Sequence, residues 1–384
     1  MKLIHLGDLH LGRSLGEFDL IEDQKYILGQ IIDLIDKEKV DAVLIAGDVF
    51  DKSIPSEAAV NLLDSFLKDL VSRNVKVFMI SGNHDSDDRL NYGKWTFEKQ
   101  GVYISAIYDG ELDCHVLKDG DTEINIYMLP FVKASHVRHV YPDETIDTYE
   151  DAVRLVIDKA GIDESKCNIV IAHQFVAGKE DPSLSGSESI GTQNVGTVEK
   201  VGYDCFSKFD YVALGHIHSA QKVGRDLCRY SGTPLKYSLK EINDKKSVPL
   251  ITVNGKNDIS YELVLLNPKR DVRHIRGKME ELLDPANISS PDDFIYATLT
   301  DEDIIDNVMG IFQQSYPNTV KVDFDNSRTR EVEKVDISQI AENRTFEDLI
   351  SDFYKQVYGC DISDEEMAVM REAAREAGVL NEAD

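Results

Sequence analysis

Five short apolar runs in this 384-residue chain each break off at residues able to hold a metal. Asp8 and His10 follow residues 2–6, Asp48 follows 42–46, and Asn83, His84 and Asp85 follow 75–80. His173 follows 169–172, and His216 and His218 follow 211–214. Runs of this length read as buried strands. Coordinating side chains at the ends of separate strands can converge on one edge of a sheet, the edge where open α/β sheets bind their ligands.

The segments between the runs carry a different period. Ile27, Ile31, Leu34 and Ile35 recur at helical spacing, as do Val60, Leu63, Leu67 and Leu70. Strand, helix, strand is the repeating unit, which implies right-handed crossovers and a sheet covered on both faces. Residues 147–160 supply a further helix before the fourth strand, and 178–197, rich in Gly, Ser and Glu, read as a long loop. Ser231-Gly232-Thr233-Pro234 is turn chemistry, and 248–253 with 259–266 predict a hairpin about Asn254-Gly255.

That hairpin closes a first domain, expected over 1–266, and 267–270 forms a linker. Strands at 294–299 and 319–324 with a helix over 302–314 predict a small α/β domain, 267–340. In 341–384, Phe346, Leu349, Ile350, Phe353 and Val357, then Met367, Met370 and Ala374, predict two amphipathic helices joined around Gly359. Two helices bury their own apolar faces poorly, so they are expected to dock, with a partner protein as one candidate.

No apolar stretch approaches the ~18 residues of a membrane span. The first run is short and leads straight into Asp8 and His10, unlike a signal peptide, so a cytoplasmic protein is expected. The five cysteines are odd in number, scattered and without a Cys-x-x-Cys pair, which argues against both a disulfide framework and a structural zinc site. A formal net charge of −28 excludes a protein that grips nucleic acid alone through a broad basic face. A polyanionic substrate must then be met by bound cations, by local Lys and Arg, or by a partner.

Asp8, His10, Asp48, Asn83, His173, His216 and His218 are too many donors for one transition ion and suit two. If Asp48 bridges, each ion receives a full share of protein donors and keeps positions open for water and substrate. Two divalent ions outweigh the two aspartates, and the residual positive charge suits a phosphate. Mixed imidazole, carboxylate and amide donors favour manganese, with iron or zinc as alternatives, over magnesium or calcium.

Asp8-Leu9-His10, Gly47-Asp48, Gly82-Asn83-His84-Asp85, His173 and Gly215-His216-Ile217-His218 together resemble the motif set of the calcineurin-like metallophosphoesterases. The flanking text, such as residues 5–12, 47–51, 81–86 and 211–218, is similar to the SbcD-type nuclease branch, related to the meiotic recombination nuclease of double-strand break repair. The resemblance implies an α/β metallophosphoesterase sandwich core with a small α/β capping domain and C-terminal helices. It puts Asp8, His10, Asp48 and His218 on one ion, and Asp48, Asn83, His173 and His216 on the other. It also implies two-metal, manganese-dependent hydrolysis of phosphodiesters in DNA ends and hairpins, by double-strand 3'-5' exonuclease and single-strand endonuclease activity. An SbcC-type coiled-coil ATPase is the implied partner, docked on the final helices. The implied homodimer, within a heterotetramer, forms through helices at about 56–70 and 87–99.

His84 is not needed as a ligand, and as a cation it is expected to stabilise the transition state or protonate the leaving oxygen, with Asp85 holding it in place. Each motif alone is commonplace; their joint occurrence in order, each after a strand, makes a chance origin remote. Alternative readings keep the metals but take a small nucleotide or a phosphoprotein as substrate, or make the chain a silent scaffold for DNA ends or an ATPase. His5, inside a strand, reads as a hydrogen-bonded core residue. Asp51 with Lys52 and Ser53, and the cluster Lys236, Lys240, Lys245 and Lys246, read equally as phosphate contacts or as solvated loops. Trp95 reads as core or dimer interface.

Overall fold

The computed structural model describes residues 1–120, 122–186, 188, 200–303 and 305–327, with scattered positions between 347 and 371. The chain divides into two compact units, Met1–Thr298 with Ile305–Asp323, and Leu299–Ile304 with Phe324–Asp384.

The first unit holds two six-stranded sheets. In the first, the strands Lys2–Leu6, Ala42–Ala46, Lys76–Ile80 and Val102–Ser105 run parallel in that order, and the hairpin of Ser247–Gly255 and Asp258–Leu265 adds antiparallel beside Lys2–Leu6. The second sheet has Thr122–Leu129, Cys167–His173, Tyr211–Gly215 and Arg225–Tyr230 parallel, with Asp113–Asp119 and Gln221–Val223 antiparallel at its edges.

A strand turns alternate side chains to opposite faces. Leu3, Leu44, Phe78 and Ile80 of the first sheet therefore meet Ile126, Met128, Ile169, Ile171 and Ala213 of the second in one buried layer. The intervening residues, Ile4, Val43, Ile45 and Val77, face the other way into a cluster with the helices Ile21–Glu38 and Glu57–Ser72. Val170, Val212 and Leu214 do the same on the second sheet, against the helix Tyr149–Lys159 and its capping box of Thr148 and Asp151. The expected coverage on both faces thus comes from helices outside and from a second sheet within. Continuous apolar strands require this, because both of their faces are dry.

His5 lies in the inner layer, fully buried, with Nδ1 3.1 Å from the Tyr211 hydroxyl and Nε2 3.2 Å from the Leu214 carbonyl oxygen. Burial, reinforced by nearby Arg229, pushes its pKa down to about 3, so it is a neutral, satisfied core histidine as expected. The hairpin is present but turns at Lys256-Asn257 rather than Asn254-Gly255. Gly255 pairs with Asp258, and Asn257 takes the left-handed conformation (φ 68°) that asparagine tolerates. Trp95 is 69 % exposed, which removes it from the core.

A three-stranded sheet, ordered Val272–Gly277, Phe294–Leu299 and Thr319–Phe324, carries the helix Val308–Ser315, shorter than the predicted 302–314. Val272 and Phe294 join the cluster of the first sheet, and Phe294 lies under the Arg270 guanidinium that pairs with Asp23. In the second unit, Asp301 and Glu302 meet Asn326 and Ser327, and Tyr354 donates to Glu366. Most of the expected C-terminal helices, and 187 and 189–197 of the expected loop, lie outside the described residues. Among the described residues no helix is long and apolar enough to cross a membrane.

Candidate metal centre

The carboxyl ends of the parallel strands of both sheets face one edge of the sandwich, and the sheets approach closely there. The His173 ring nitrogen Nδ1 lies 2.8 Å from the Ala46 carbonyl oxygen of the opposite sheet. At Gly215 a Cβ would fall 1.8 Å from the same oxygen, so only glycine fits before His216.

Three side chains enter the site from backbone that L-residues seldom adopt. Asp8, His10 and Asp48 have φ of 53°, 43° and 46°. Their loops are laced together: Asp8 N–H donates to the Gly47 carbonyl (3.1 Å) and His10 N–H to the Asp48 carbonyl (2.9 Å). Such conformations cost about 1–3 kcal/mol each and persist where the surroundings over-determine them, commonly at functional sites.

All seven expected donors come together. His10 Nε2 lies 3.1 Å from His218 Nε2 and 3.6 Å from Asp48 Oδ2, and His218 Nε2 lies 4.0 Å from Asp8 Oδ1. On the other side of Asp48, its Oδ2 is 3.5 Å from His173 Nε2, and Asn83 Oδ1 is 3.0 Å from His173 Nε2 and 2.9 Å from His216 Nδ1. Asp8, His10 and His218 form one compact donor group, Asp8, Asp48 and His173 another, and His10, Asp48 and His84 a third. Asp8, His10, Asp48, His173 and His218 are buried; Asn83 and His216 are partly open.

The donor chemistry fits cations. With Nδ1 of His173 donating to Ala46, Nε2 faces two oxygen acceptors, Asp48 Oδ2 and Asn83 Oδ1, and only a proton or a metal ion relieves that arrangement. Burial works against charge on His173, yet Asp48 and then Asp8 outweigh it and hold its pKa up to about 9. Burial likewise opposes the Asp48 carboxylate, but His173 and His10 keep it well below the usual carboxylate range. Asp8 is pushed well up, first by burial and also by the charge of Asp48. Burial holds His10 down to about 4, and burial with the neighbouring His173 holds His216 down to about 3. His218 lies well below its ordinary value through burial and then His10. Three imidazoles are therefore neutral, the form that binds metal.

His84 stands at the mouth, its side chain 17 % exposed. Its backbone N–H donates to Asp48 Oδ1 (2.9 Å), its Nδ1 lies 3.0 Å from the Asp51 carbonyl oxygen, and its Nε2 is 4.0 Å from Asp48 Oδ2. The atom that orients this ring belongs to Asp51, not to Asp85 as the sequence suggests. Asp85 instead accepts from the backbone N–H groups of Val49 (3.1 Å), Phe50 (2.9 Å) and Gly82 (2.9 Å), tying the Asp48 turn to the Asn83 turn. Burial, then Asp48, pushes Asp85 up to about 6. A carboxylate next to a histidine in sequence points elsewhere here because the three amides sit behind the loop.

Sequence reasoning missed several supporting residues. Gln24 Nε2 donates to the His10 carbonyl (2.7 Å), and the Tyr237 hydroxyl donates to the Leu9 carbonyl (2.6 Å). Gln24 stands on the same apolar stripe as Ile27 and Ile31, and a polar residue on a buried helix face was the available signal. Asp51 pairs with Arg13 at 2.8 Å, so its carboxylate is engaged within the protein. The Phe131 ring packs 6.2 Å from His173 and 6.5 Å from His216, and Phe175 lies 6.4 Å from His216.

Residues 1–220 match the family model of the calcineurin-like phosphoesterases. Residues 268–358 match that of the type 5 capsule protein repressor C-terminal domain. The SbcD component of the nuclease SbcCD from Staphylococcus epidermidis is 33 % identical over 353 residues, which cover 89 % of this chain and 92 % of that protein.

Proposed function

Because this chain belongs to the calcineurin-like phosphoesterases, in the branch of the SbcD nucleases, we propose that it is a metal-dependent DNA nuclease that processes DNA ends together with an SbcC-type ATPase. One observation carries the two-ion reading: Asp48 Oδ2 stands 3.6 Å from His10 Nε2 and 3.5 Å from His173 Nε2, between the donors around His10 and those around His173. Asp8, His10, Asp48 and His218 hold one ion, and Asp48, Asn83, His173 and His216 the other. Manganese suits this donor set best, with iron or zinc as alternatives. Bound there, the ions supply charge to neutralise a phosphodiester and to acidify water.

The chain's own residues do the rest. Asp48 stays ionised and balances charge between the two donor sets. With His84 Nδ1–H donating to the Asp51 carbonyl, Nε2 faces the mouth. When the ring carries a second proton there as a cation, it is placed to stabilise the phosphate or to pass that proton to the leaving sugar oxygen, returning to the neutral Nδ1–H form. Asp85 positions both turns through backbone amides rather than acting on substrate.

The finer activities in this proposal are double-strand 3'-5' exonuclease and single-strand or hairpin endonuclease. In this reading residues 1–266 serve as the nuclease domain, 267–340 as a cap that shapes DNA access, and 341–384 as the ATPase-docking segment. The net charge of −28 supports a division of labour in which the ATPase supplies most of the grip on DNA. A homodimer is supported by an apolar groove of about 640 Å³ lined by Val60, Leu63, Leu67, Tyr92 and Phe97, close to the exposed Trp95.

The test is digestion of a linear duplex with manganese, with and without the ATPase and ATP. Digestion that needs the metal and is stimulated by the ATPase supports the proposal. Hydrolysis confined to small phosphodiesters, with duplex left intact in the full complex, overturns it.

A further inference from the structure

Of the four clustered lysines, two are internal struts. Lys236 Nζ pairs with Asp271 at 2.9 Å and donates to the Ile242 carbonyl at 2.8 Å. Lys246 is only 8 % exposed, and its ammonium sits among Glu241 Oε2 (2.6 Å), Thr233 Oγ1 (2.8 Å) and the His218 carbonyl oxygen (3.1 Å), with Asp244 Oδ2 at 3.6 Å. Glu241 is fully buried.

The His218 carbonyl receives a second donor, the Thr233 N–H at 3.0 Å, so the peptide that follows this donor histidine is gripped from two directions. Gly232 makes the approach possible. Its φ is +72°, and a Cβ there would lie 2.8 Å from the His218 carbonyl oxygen and 2.7 Å from the Ala220 nitrogen. The same stretch reaches the other histidine of the group: the Tyr237 ring packs edge-on 5.8 Å from His10, and its hydroxyl holds the Leu9 carbonyl.

A buried ion pair is a poor way to gain stability, since well-packed neutral side chains of similar volume usually do as well or better. What the pair supplies that a neutral filling would not is a directed, charge-assisted hydrogen bond to one carbonyl. Behind Asn83, His173 and His216 the support is neutral hydroxyl or amide bonding, with Tyr230 Oη 3.1 Å from the Gln174 carbonyl and Asp85 accepting from Gly82 N–H (2.9 Å), and with phenylalanine walls. Among the described residues no lysine–carboxylate pair directs a hydrogen bond to a ligand carbonyl there.

We propose that Lys246 and Glu241 are positioning residues for one half of the metal centre, locking the His218 peptide so that the ion on Asp8, His10 and His218 binds tightly, while the other ion does not depend on them. This rests on the two-ion reading above. Partners one shell behind a metal ligand typically set about 10–100-fold of affinity.

The test titrates the full-length, metal-stripped chain with manganese alone, by calorimetry and elemental analysis. Lys246→Met is expected to weaken one ion by about 10–100-fold and to leave the other unchanged. Placed on Asn83→Ala it should weaken the remaining ion; placed on His10→Ala it should not. Glu241→Gln with Lys246→Met removes both charges and guards against an unpaired buried carboxylate. One ion weakened in this pair, with thermal unfolding in chelator unchanged, supports the proposal. Uptake of both ions as in the unmodified chain overturns it, and so does loss of both, which would assign the network to the fold. Fewer than two ions on the unmodified chain would instead overturn the two-ion reading, whatever Lys246 does.

Discussion

Behind His10 and His218 lies a polar network of Gln24, Tyr237, Thr233, Glu241 and Lys246 that grips the carbonyls of Leu9, His10 and His218. Behind His173 and His216 lie the Ala46 carbonyl and the rings of Phe131 and Phe175. The donors of the two halves are alike and both halves are tied to backbone, but the first is gripped by a polar network that contains the Lys246–Glu241 ion pair, and the second by close sheet approach, with His173 on the Ala46 carbonyl, and by ring packing. The difference follows from position. His173 ends a fully buried strand whose backbone is already paired, whereas His10 and His218 sit on loops beyond their strands, whose carbonyls need partners of their own.

The comparison can be broken most forcefully at Asp48, whose Oδ2 lies 3.6 Å from His10 Nε2 and 3.5 Å from His173 Nε2. Asp48→Ala should abolish uptake of both manganese ions, measured by elemental analysis, and lower duplex cleavage on the order of 10³-fold. Retention of either ion at full affinity would show that the halves do not share it. His84 stands against His10 and Asp48 but is proposed as a proton donor and not as a ligand, so His84→Ala should keep both ions while cleavage falls on the order of 10²-fold. Metal loss in that variant would make His84 part of a half rather than a proton donor.

Smaller effects separate the two kinds of support. Gln24→Leu should weaken one ion about tenfold without moving the other in a manganese titration. An equal loss at both would mean that the network serves the site as a whole. The half containing His173 should show its raised pKa: below pH 9 that ring carries a proton in the metal-free chain, so manganese must displace it. Affinity there should rise roughly tenfold per pH unit from 7 towards 9, with proton release visible by calorimetry in buffers of different ionisation heat. A flat profile would remove the distinction.

His5 provides the smallest effect on the site, as an equally buried histidine outside both halves. It stays neutral in the fold, with a pKa of about 3, but titrates near 6.5 when unfolded, so its stability contribution is complete above about 6.5 and is lost as pH falls towards 3. At pH 5 the cost is about 2 kcal/mol. His5→Gln should flatten the pH dependence of chemical denaturation between pH 7 and 5 and leave manganese uptake unchanged.

Much of the fold was legible because the strands are short, apolar and interrupted by helices of clear period. Ile27, Ile31 and Ile35 are buried as their spacing required, and the Thr148 capping box starts the helix read at 147–160. Val60 shows the limit: it fits the helical period but is 45 % exposed, because Leu62 and Phe66 take the buried face beside Leu63. The clustering of the seven candidate donors was legible because each stands at or just beyond a strand end, and strand ends collect at one edge. Asp85 and the lysine cluster were not. Their partners are backbone atoms brought near by the tertiary fold, Val49, Phe50 and Gly82 for one and the His218 carbonyl for the other.

Residue type and spacing by themselves determined which side chains are able to bind cations, on which strand ends they stand, and which segments are buried, since these depend on chemistry and period alone. Only the packing of one sheet on the other decided that Asp48 stands between two donor sets, that Asp51 rather than Asp85 orients His84, and that Lys246 is an internal strut instead of a phosphate contact. The physical reason is that a hydrogen bond is satisfied by whichever partner lies about 3 Å away, and in a four-layer sandwich that partner is often some two hundred residues distant in the chain, as His10 is from His218 at 3.1 Å.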